Sequence, residues 1–303
     1  MNTTPATDPA PPCAGPDRTP RAPRLRLPAH SCDSHAHVFG PQRRYAYSPE
    51  RIYTPPDALP IDYRGLLDTL GVERAVLVQP SVYGSDNQAL LDALAQDPQR
   101  LRGVAVIEPN TPPPRAELDR LHALGVRGVR CNVVDVKDSQ GTLPLAQLHA
   151  LAELIAPLGW HLELLVHVDA YPALDRVLAD FPVDLVFGHL GYMARGQGVD
   201  APGFVALQRL LQRGRAWVKL SGPYRISAHG LPYPDVAPLA QALVAAAPDR
   251  VVWGSDWPHV MLKGPMPNDG ALCDLLADWL PDADLLERVL VRNPAQLYGF
   301  TPA

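Results

Sequence analysis

Short apolar runs alternate with longer amphipathic stretches along most of the chain. The short runs are rich in β-branched and other bulky apolar residues and predict eight strands, at 32–37, 75–79, 103–107, 128–132, 161–166, 184–188, 217–220 and 251–253. The stretches between them have helical apolar spacing and predict helices at 62–70, 86–96, 113–124, 145–157, 171–180, 202–213, 234–246 and over 270–298. Apolar strands that alternate with helices are typical of a parallel sheet covered on both faces.

Eight such units predict a closed barrel. We therefore assign residues 29–303 to the α/β class, as a single-domain, TIM-like (β/α)8 barrel, a fold that typically takes about 250 residues. An open, doubly wound sheet is the alternative, but the first strand-to-helix turn lacks the Gly-x-Gly-x-x-Gly pattern that holds a dinucleotide. Residues 1–28 are rich in proline and lack periodic apolar positions, which predicts a poorly ordered or extended arm without chemistry of its own.

Composition narrows the functional classes. The chain is 47% hydrophobic and 19% charged with a net charge of −5, and no Lys/Arg-rich stretch predicts contact with nucleic acid. Its four cysteines show no Cys-x-x-Cys spacing, which favours a reducing compartment over a disulfide framework. No signal-peptide core and no membrane-spanning run is evident, so the expectation is a cytoplasmic protein without a membrane partner.

Polar residues at the ends of predicted strands indicate a site. His35 and His37 lie two apart at the end of the first strand and so face the same side. A solvated strand end gives the same pattern, so the pair alone leaves both interpretations open. His189 and Asp256 follow the sixth and eighth strands. Because the carboxyl ends of barrel strands carry the active site, we expect these four side chains to share one cavity.

These four residues resemble the site of the amidohydrolase superfamily, in its amidohydrolase-2 type. The most specific matching segments are Asp33–Gly40 and Trp253–Pro258, and three further segments support them, at 78–87, 128–132 and 218–222. Over residues 31–300 the chain resembles the branch that contains 2-pyrone-4,6-dicarboxylate lactonase and related sugar-lactone hydrolases. The resemblance implies a hydrolase that opens a small acidic lactone.

Lactone hydrolysis needs a water molecule that loses a proton and an electrophile on the carbonyl oxygen. Asp256 is the candidate base, and His35, His37 and His189 are candidates to polarise the carbonyl. Alternatively, these three histidines and Asp256 hold one zinc or other divalent metal ion. Asn132 stands where much of the superfamily has a metal-binding lysine, and the resembled lactonase needs no metal. We therefore expect no obligatory cofactor.

Substrate binding is predicted from two further groups of residues. Arg130 and Arg225 match family arginines that grip carboxylates, for which the planar guanidinium is suited. Tyr53, in the irregular loop after the first strand, and Ser81 and Tyr83, after the second, are candidates for contact with the same substrate. The expected ligand is a small carboxylated lactone or its ring-opened acid.

The chain departs from the resembled lactonase at two other positions where that enzyme has arginines. It has Tyr192 three residues after His189, and Asp135-Val136-Lys137 beyond Arg130. A lactone with one carboxylate, or a neutral sugar lactone, is therefore favoured over a dicarboxylate. Lys137 and Arg195 are the candidate replacements.

Other functions on the same barrel stay open at this stage. A zinc-dependent decarboxylase would use the same histidines and aspartate, and a sugar-acid lactone isomerase would need no hydrolytic water. A binding protein that has kept the fold without catalysis is the alternative from another class. Homo-oligomerisation is left open, and His259 is expected in a surface loop.

Overall fold

The computed structural model describes residues 10–137 and 142–301, and its centre is a sheet of eight parallel strands. The strands are β1 (Cys32–Ala36), β2 (Arg74–Val78), β3 (Leu101–Ala105), β4 (Val126–Asn132), β5 (His161–Leu165), β6 (Leu185–Phe187), β7 (Ala216–Leu220) and β8 (Val251–Trp253). Each strand pairs with the next in chain order. All eight overlap the predicted strands, with the largest shift in β3, which begins and ends two residues earlier than predicted, and the barrel prediction is confirmed.

The barrel closes where the end of β8 meets β1. Ala36 forms a parallel bridge with Trp257, and the His37 N–H donates to the Trp257 carbonyl at 2.8 Å. The Asp256 N–H donates to the carbonyl of His35 at the same distance. These bonds place the residues after β8 beside the histidines of β1, although the two segments are far apart in the sequence.

Helices surround the barrel. They are α1 (Pro60–Leu70), α2 (Gln88–Gln96), α3 (Arg115–Ala123), α4 (Leu145–Ile155), α5 (Leu174–Val177), α6 (Pro202–Gln212), α7 (Pro223–Ile226), α8 (Ala237–Ala246), α9 (Asp269–Asp274), α10 (Leu276–Trp279), α11 (Ala283–Glu287) and α12 (Asn293–Tyr298). Their buried faces are apolar, as with Leu66, Leu67 and Leu70 of α1. Within the described ranges, no helix is both long and apolar enough to cross a membrane.

The helix predicted at 171–180 is wrong in length, because only Leu174–Val177 is helical. Val168–Ala170 forms a separate 3₁₀ turn, and Tyr171 after it has φ −128° and ψ 78°. Pro172 disfavours the helical conformation at Tyr171 and cannot donate a backbone hydrogen bond. Pro182 disfavours the helical conformation at Phe181 in the same way, so any helix in this segment must lie between the two prolines.

Part of the predicted N-terminal arm runs along the barrel. Residues 1–9 lie outside the described residues, whereas Pro12 forms a parallel bridge with Thr54 in the loop after β1. Further along, the backbone N–H groups of Arg24 and Leu25 donate to the Asp274 carboxylate, at 2.6 and 3.0 Å. The segment therefore links the loop after β1 to α9. Its predicted lack of order stays a prediction.

Candidate active site

Three histidines converge at the rim formed by the carboxyl ends of the strands. His35 lies within β1, His37 directly follows it, and His189 follows β6. The ring centroid of His35 is 5.0 Å from those of both His37 and His189. All three side chains are buried. The structure therefore brings together the three histidines that the sequence singles out.

Asp256 joins this cluster from the far end of the chain. Its Oδ2 accepts hydrogen bonds from the Tyr224 hydroxyl at 2.6 Å and from Arg225 Nε at 2.7 Å. Its Oδ1 is buried and has no hydrogen-bond partner among the described residues. This oxygen lies 3.7 Å from His35 Nε2 and 4.0 Å from His189 Nε2. One carboxylate oxygen is thus fixed, and the other faces the histidines without a partner.

The backbone at the site adopts left-handed conformations that most residues avoid. φ is +65° at Asp256, and +50°, +54° and +49° at His189, Leu190 and Tyr192. This conformation costs a non-glycine residue roughly 1–2 kcal/mol. It is retained where the surroundings impose it, here by bonds such as Tyr192 N–H to His189 C=O at 2.8 Å. Such strain, concentrated where two strands end, is typical of a functional site.

Burial and neighbouring charges set the protonation of the cluster. Burial lowers the pKa of His37 to about 4 and that of His189 to about 3, and it lowers the pKa of His35 well below its ordinary value. Burial by itself would raise the pKa of Asp256, but the charge of Arg225 and the hydrogen bond from its guanidinium hold that pKa well below its usual range. At neutral pH the site therefore contains one carboxylate and three neutral imidazoles.

Three of the four side chains have the type and spacing of metal ligands. One ligand atom each from His35, His189 and Asp256 lie within 4.8 Å of one another. Neutral imidazoles and carboxylates are zinc ligands, and His35 Nε2 and Asp256 Oδ1 lack hydrogen-bond partners in the described part of the chain. His37, the fourth predicted ligand, lies outside this group, and its Nδ1–H donates to the carbonyl of Val78 at 2.7 Å. The donor set fits a single divalent ion.

Both predicted substrate-binding arginines lie at the site and already have protein partners. Arg130 is largely buried, and its Nη1 donates to the carbonyl of Gln79 at 2.8 Å. Arg225 binds Asp256 through Nε, and its Nη2 donates to the carbonyl of Val260 at 3.2 Å. The charges of Arg130 and Arg225 reinforce the effect of burial on the pKa of His189. Both guanidinium groups therefore lie close to the histidine cluster.

A cavity of about 340 Å³ opens beside the loop after β1, and its lining includes Tyr53 and Ser81. The Ser81 hydroxyl accepts a hydrogen bond from Asn132 Nδ2 at 2.8 Å. Tyr83 is buried beside it, and its hydroxyl accepts the Gly40 N–H at 2.8 Å. This bond anchors the loop after β1, whereas substrate contact by Tyr53, Ser81 and Tyr83 stays a prediction.

A second cavity, of about 360 Å³, is lined by three cations, Arg195, Arg225 and Lys263, and by Tyr192. We call it the cationic cavity. Asp135 borders both this cavity and the one beside the loop after β1. Tyr192 occupies one of the positions where the resembled lactonase has an arginine, and Arg195 and Lys263 supply positive charge nearby. The other candidate replacement, Lys137, pairs instead with Glu50 at 3.0 Å.

A buried carboxylate beside His35 was not predicted from the sequence. Glu163 lies in β5, and its Oε2 is 2.5 Å from Nζ of Lys219 in β7. The available signal was a glutamate at the centre of the otherwise apolar run His161–Leu165. Tyr224, which fixes Asp256, was also missed, because nothing in the local sequence distinguishes it from a core tyrosine.

The expectation that His259 lies in a surface loop is wrong. The residue is fully buried, with Nε2 3.0 Å from Asp269 Oδ1 and Nδ1 2.9 Å from the Tyr224 hydroxyl. That hydroxyl in turn donates to Asp256. The chain turns inward after β8, so a hydrogen-bonded series runs from Asp269 through His259 and Tyr224 to Asp256.

The protein is a (β/α)8 barrel with a buried, polar site. Three histidines and one aspartate form this site at the rim where the strands end. Within this class the chain belongs to the amidohydrolase family, whose family model matches residues 32–300. This match confirms the superfamily resemblance that the motifs indicate.

Curated relatives narrow the family further. The chain is 38% identical over 291 residues to 4-sulfomuconolactone hydrolase of Rhizobium radiobacter, covering 95% of this chain and 96% of the relative. It is 38% identical over 288 residues to 2-pyrone-4,6-dicarboxylate hydrolase of Comamonas testosteroni, covering 92% and 93%. It is 31% identical over 289 residues to D-galactarolactone isomerase of Agrobacterium fabrum, covering 93% and 95%. The resemblance to the pyrone lactonase branch is confirmed.

Proposed function

We propose that this protein hydrolyses a small acidic lactone by attack of a water molecule that Asp256 activates. The observation that carries the proposal is the unpaired Oδ1 of Asp256, which is buried and faces the histidines. Two of the relatives are named as hydrolases, one of 4-sulfomuconolactone and one of 2-pyrone-4,6-dicarboxylate, which supports the prediction of an enzyme that hydrolyses lactones.

Asp256 supplies the base. The Tyr224 and Arg225 donors occupy Oδ2, so an incoming water molecule hydrogen-bonds to Oδ1. The water oxygen attacks the lactone carbonyl carbon while Oδ1 takes one water proton, which gives a tetrahedral intermediate with the negative charge on the former carbonyl oxygen. The carbon–oxygen bond of the ring then breaks. The departing ring oxygen receives the proton from Asp256, and the product is a hydroxy acid.

The histidines orient the water and stabilise the oxyanion. His37 uses its Nδ1 proton in the bond to Val78, so its Nε2 is an acceptor that can orient the water. Neutral imidazole N–H groups in a water-poor site stabilise a developing oxyanion. If a divalent metal is bound, His35, His189 and Asp256 hold it, and it supplies Lewis-acid polarisation of the carbonyl. That hydrolysis needs no metal stays a prediction, to be checked by chelation.

The cationic cavity supplies the substrate anchor. Arg195, Arg225 and Lys263 border it, and Asp135 is an acid on its lining. An anionic substituent on the lactone ring enters this cavity, while the carbonyl group lies against the histidines. Arg130 grips a carboxylate on the opposite side of the ring. One carboxylate plus at most one further anionic substituent fits these groups.

Isomerisation of a sugar-acid lactone is the second candidate, because the sequence similarity to D-galactarolactone isomerase extends over 93% of this chain. The same four side chains could exchange protons with substrate hydroxyl groups without adding water. The two reactions differ in their product, which is an open hydroxy acid in one case and a lactone of unchanged mass in the other.

The deciding experiment is a panel of 4-sulfomuconolactone, 2-pyrone-4,6-dicarboxylate and galactarolactone in ¹⁸O-labelled water, followed by mass spectrometry and NMR. Hydrolysis adds one labelled water to the product, whereas isomerisation adds none. Release of carbon dioxide, with complete loss of turnover on chelation, would instead indicate the zinc-dependent decarboxylase. No turnover of any of these lactones by metal-analysed protein would count against the proposal. The cytoplasmic location stays a prediction.

A further inference from the structure

Two oppositely charged side chains, Lys219 and Glu163, lie inside the barrel beside His35. Lys219 Nζ is 2.5 Å from Glu163 Oε2 and 2.8 Å from the carbonyl of Ser34. The Lys219 side chain is 0% exposed and that of Glu163 is 3% exposed. Removing two charges from water is costly, and a buried ion pair is weak evidence for a stabilising role. A pair at this position therefore calls for another explanation.

The pair contacts one ring nitrogen of His35. Nδ1 lies 3.2 Å from Lys219 Nζ and 3.3 Å from Glu163 Oε1. The other ring nitrogen, Nε2, faces Asp256 Oδ1 at 3.7 Å. A neutral imidazole carries one proton, on one of its two nitrogens. Whatever occupies Nδ1 therefore decides what Nε2 presents to the substrate.

The hydrogen-bond donors of Lys219 determine which ring nitrogen of His35 carries the proton. An ammonium group has three N–H donors and no acceptor. Glu163 and Ser34 accept two of these hydrogen bonds, and the third N–H is directed to Nδ1 of His35. Lys219 and Glu163 both lie near Nδ1, but only the contact with Lys219 has hydrogen-bond geometry. A proton on Nδ1 would point at an ammonium proton. Nδ1 must then act as the acceptor, and the imidazole proton belongs on Nε2.

We propose that Lys219 is a positioning residue that holds His35 in the Nε2–H tautomer, and that Glu163 keeps Lys219 in place. His35 then presents an N–H donor to the carbonyl oxygen of the lactone, a role that rests on the proposed function. His37 has the opposite tautomer, because its Nδ1–H donates to Val78. The two histidines of the His-x-His segment thus have different roles. His35 stabilises the oxyanion, and His37 orients the water molecule.

The tautomer of His35 also affects whether the site can bind a divalent metal ion. His35 Nε2 is one of the atoms spaced to hold a divalent ion. A metal ion can bind there only after the Nε2 proton has left, and Lys219 blocks transfer of that proton to Nδ1. Removing Lys219 should therefore strengthen zinc binding, because the proton can move to Nδ1 and donate to Glu163.

Nuclear magnetic resonance of protein labelled with ¹⁵N in histidine tests the tautomer without substrate or metal. The ring-nitrogen signals of His35, assigned by their loss in His35→Gln, should show the Nε2–H form. Lys219→Met should convert them to the Nδ1–H form, with zinc affinity raised at least tenfold. Glu163→Gln is the matched control, since its amide oxygen still accepts from Lys219 and the wild-type tautomer should persist. An Nδ1–H signal in the wild type, or an unchanged tautomer in Lys219→Met, would overturn the proposal.

Lys219→Met leaves a buried carboxylate without its partner and can fail to fold. The double variant Lys219→Met/Glu163→Leu removes both charges, and in it the Nε2–H form should no longer be the sole tautomer. If that variant folds and keeps the wild-type tautomer alone, the proposal fails. With the lactone that the panel identifies, kcat of the folded variant should fall by roughly 10²-fold with KM little changed, as for a lost oxyanion donor. A wild type without lactonase activity would overturn the proposed function, and the tautomer measurement would still decide the role of Lys219.

Discussion

Replacing Asp256 with asparagine tests the proposed base, because the structure dictates how the new amide sits. Two donors, the Tyr224 hydroxyl and Arg225 Nε, surround the Oδ2 position. The amide satisfies both only by placing its oxygen there. Its NH₂ group then occupies the Oδ1 position that faces the histidines. The variant therefore replaces a proton acceptor with a donor while keeping the size of the side chain.

The expected loss in kcat follows from the role. A positioned general base contributes roughly 10²–10⁴-fold, which corresponds to about 3–5 kcal/mol of barrier. KM and the Kd of the ring-opened acid should change much less than kcat, since Asp256 itself does not anchor the substrate and Arg225 keeps its bond to the Val260 carbonyl. Arg225, whose side chain is 9% exposed, loses its ionic partner. Stability should fall as well, by up to about 3–5 kcal/mol, so unfolding must be measured beside kinetics and calorimetric binding.

Asp184→Asn is the matched control for this substitution. Asp184 precedes β6 at the opposite rim, and its Oδ2 accepts the Trp217 Nε1–H at 2.8 Å. The control should lose some stability and keep the wild-type kcat. If folded Asp256→Asn binds the product acid normally and keeps more than a tenth of the wild-type kcat, Asp256 is not the base.

The sequence predicts the barrel and the main cluster well for one physical reason. A parallel barrel places the carboxyl ends of all its strands at one rim, so a residue's position at a strand end is enough to predict that His35, His37, His189 and Asp256 meet. The length of the helix within 171–180 does not follow from apolar spacing, because Pro172 disfavours the helical conformation at Tyr171.

The supporting contacts could not be predicted, because they depend on three-dimensional pairing between distant segments. Glu163 and Lys219 are 56 positions apart and meet across the barrel interior, which the pattern of neither β5 nor β7 reveals. Which oxygen of Asp256 is anchored depends on where α7 places Tyr224. The burial of His259 depends on an inward turn after β8, and a segment that contains proline and follows a strand end looks like a surface loop.

Three further substitutions probe the frame around the site. Tyr224→Phe removes one of the two donors to Asp256 Oδ2, and kcat should fall about tenfold or more, since a hydrogen bond to a charged group contributes about 1.5–3 kcal/mol; an unchanged kcat would mean that Arg225 alone holds the carboxylate. Ser255→Ala removes the hydroxyl that donates to a buried carboxylate of β1, and urea unfolding should show a loss of about 1–3 kcal/mol. Asp274→Ala should raise the hydrogen-exchange rate of the amides at 24–25, which donate to this carboxylate. Burial raises the pKa of Asp274, but hydrogen bonds from the N-terminal segment outweigh it and lower that pKa to about 2. The ionised carboxylate therefore stabilises the docked segment fully at pH values above its ordinary pKa near 4. This stabilisation is lost as the pH falls from about 4 toward 2. Wild-type protection at 24–25 should therefore decline over that pH interval, whereas the variant should show fast exchange throughout; equal protection in both proteins would mean that Asp274 does not hold the segment.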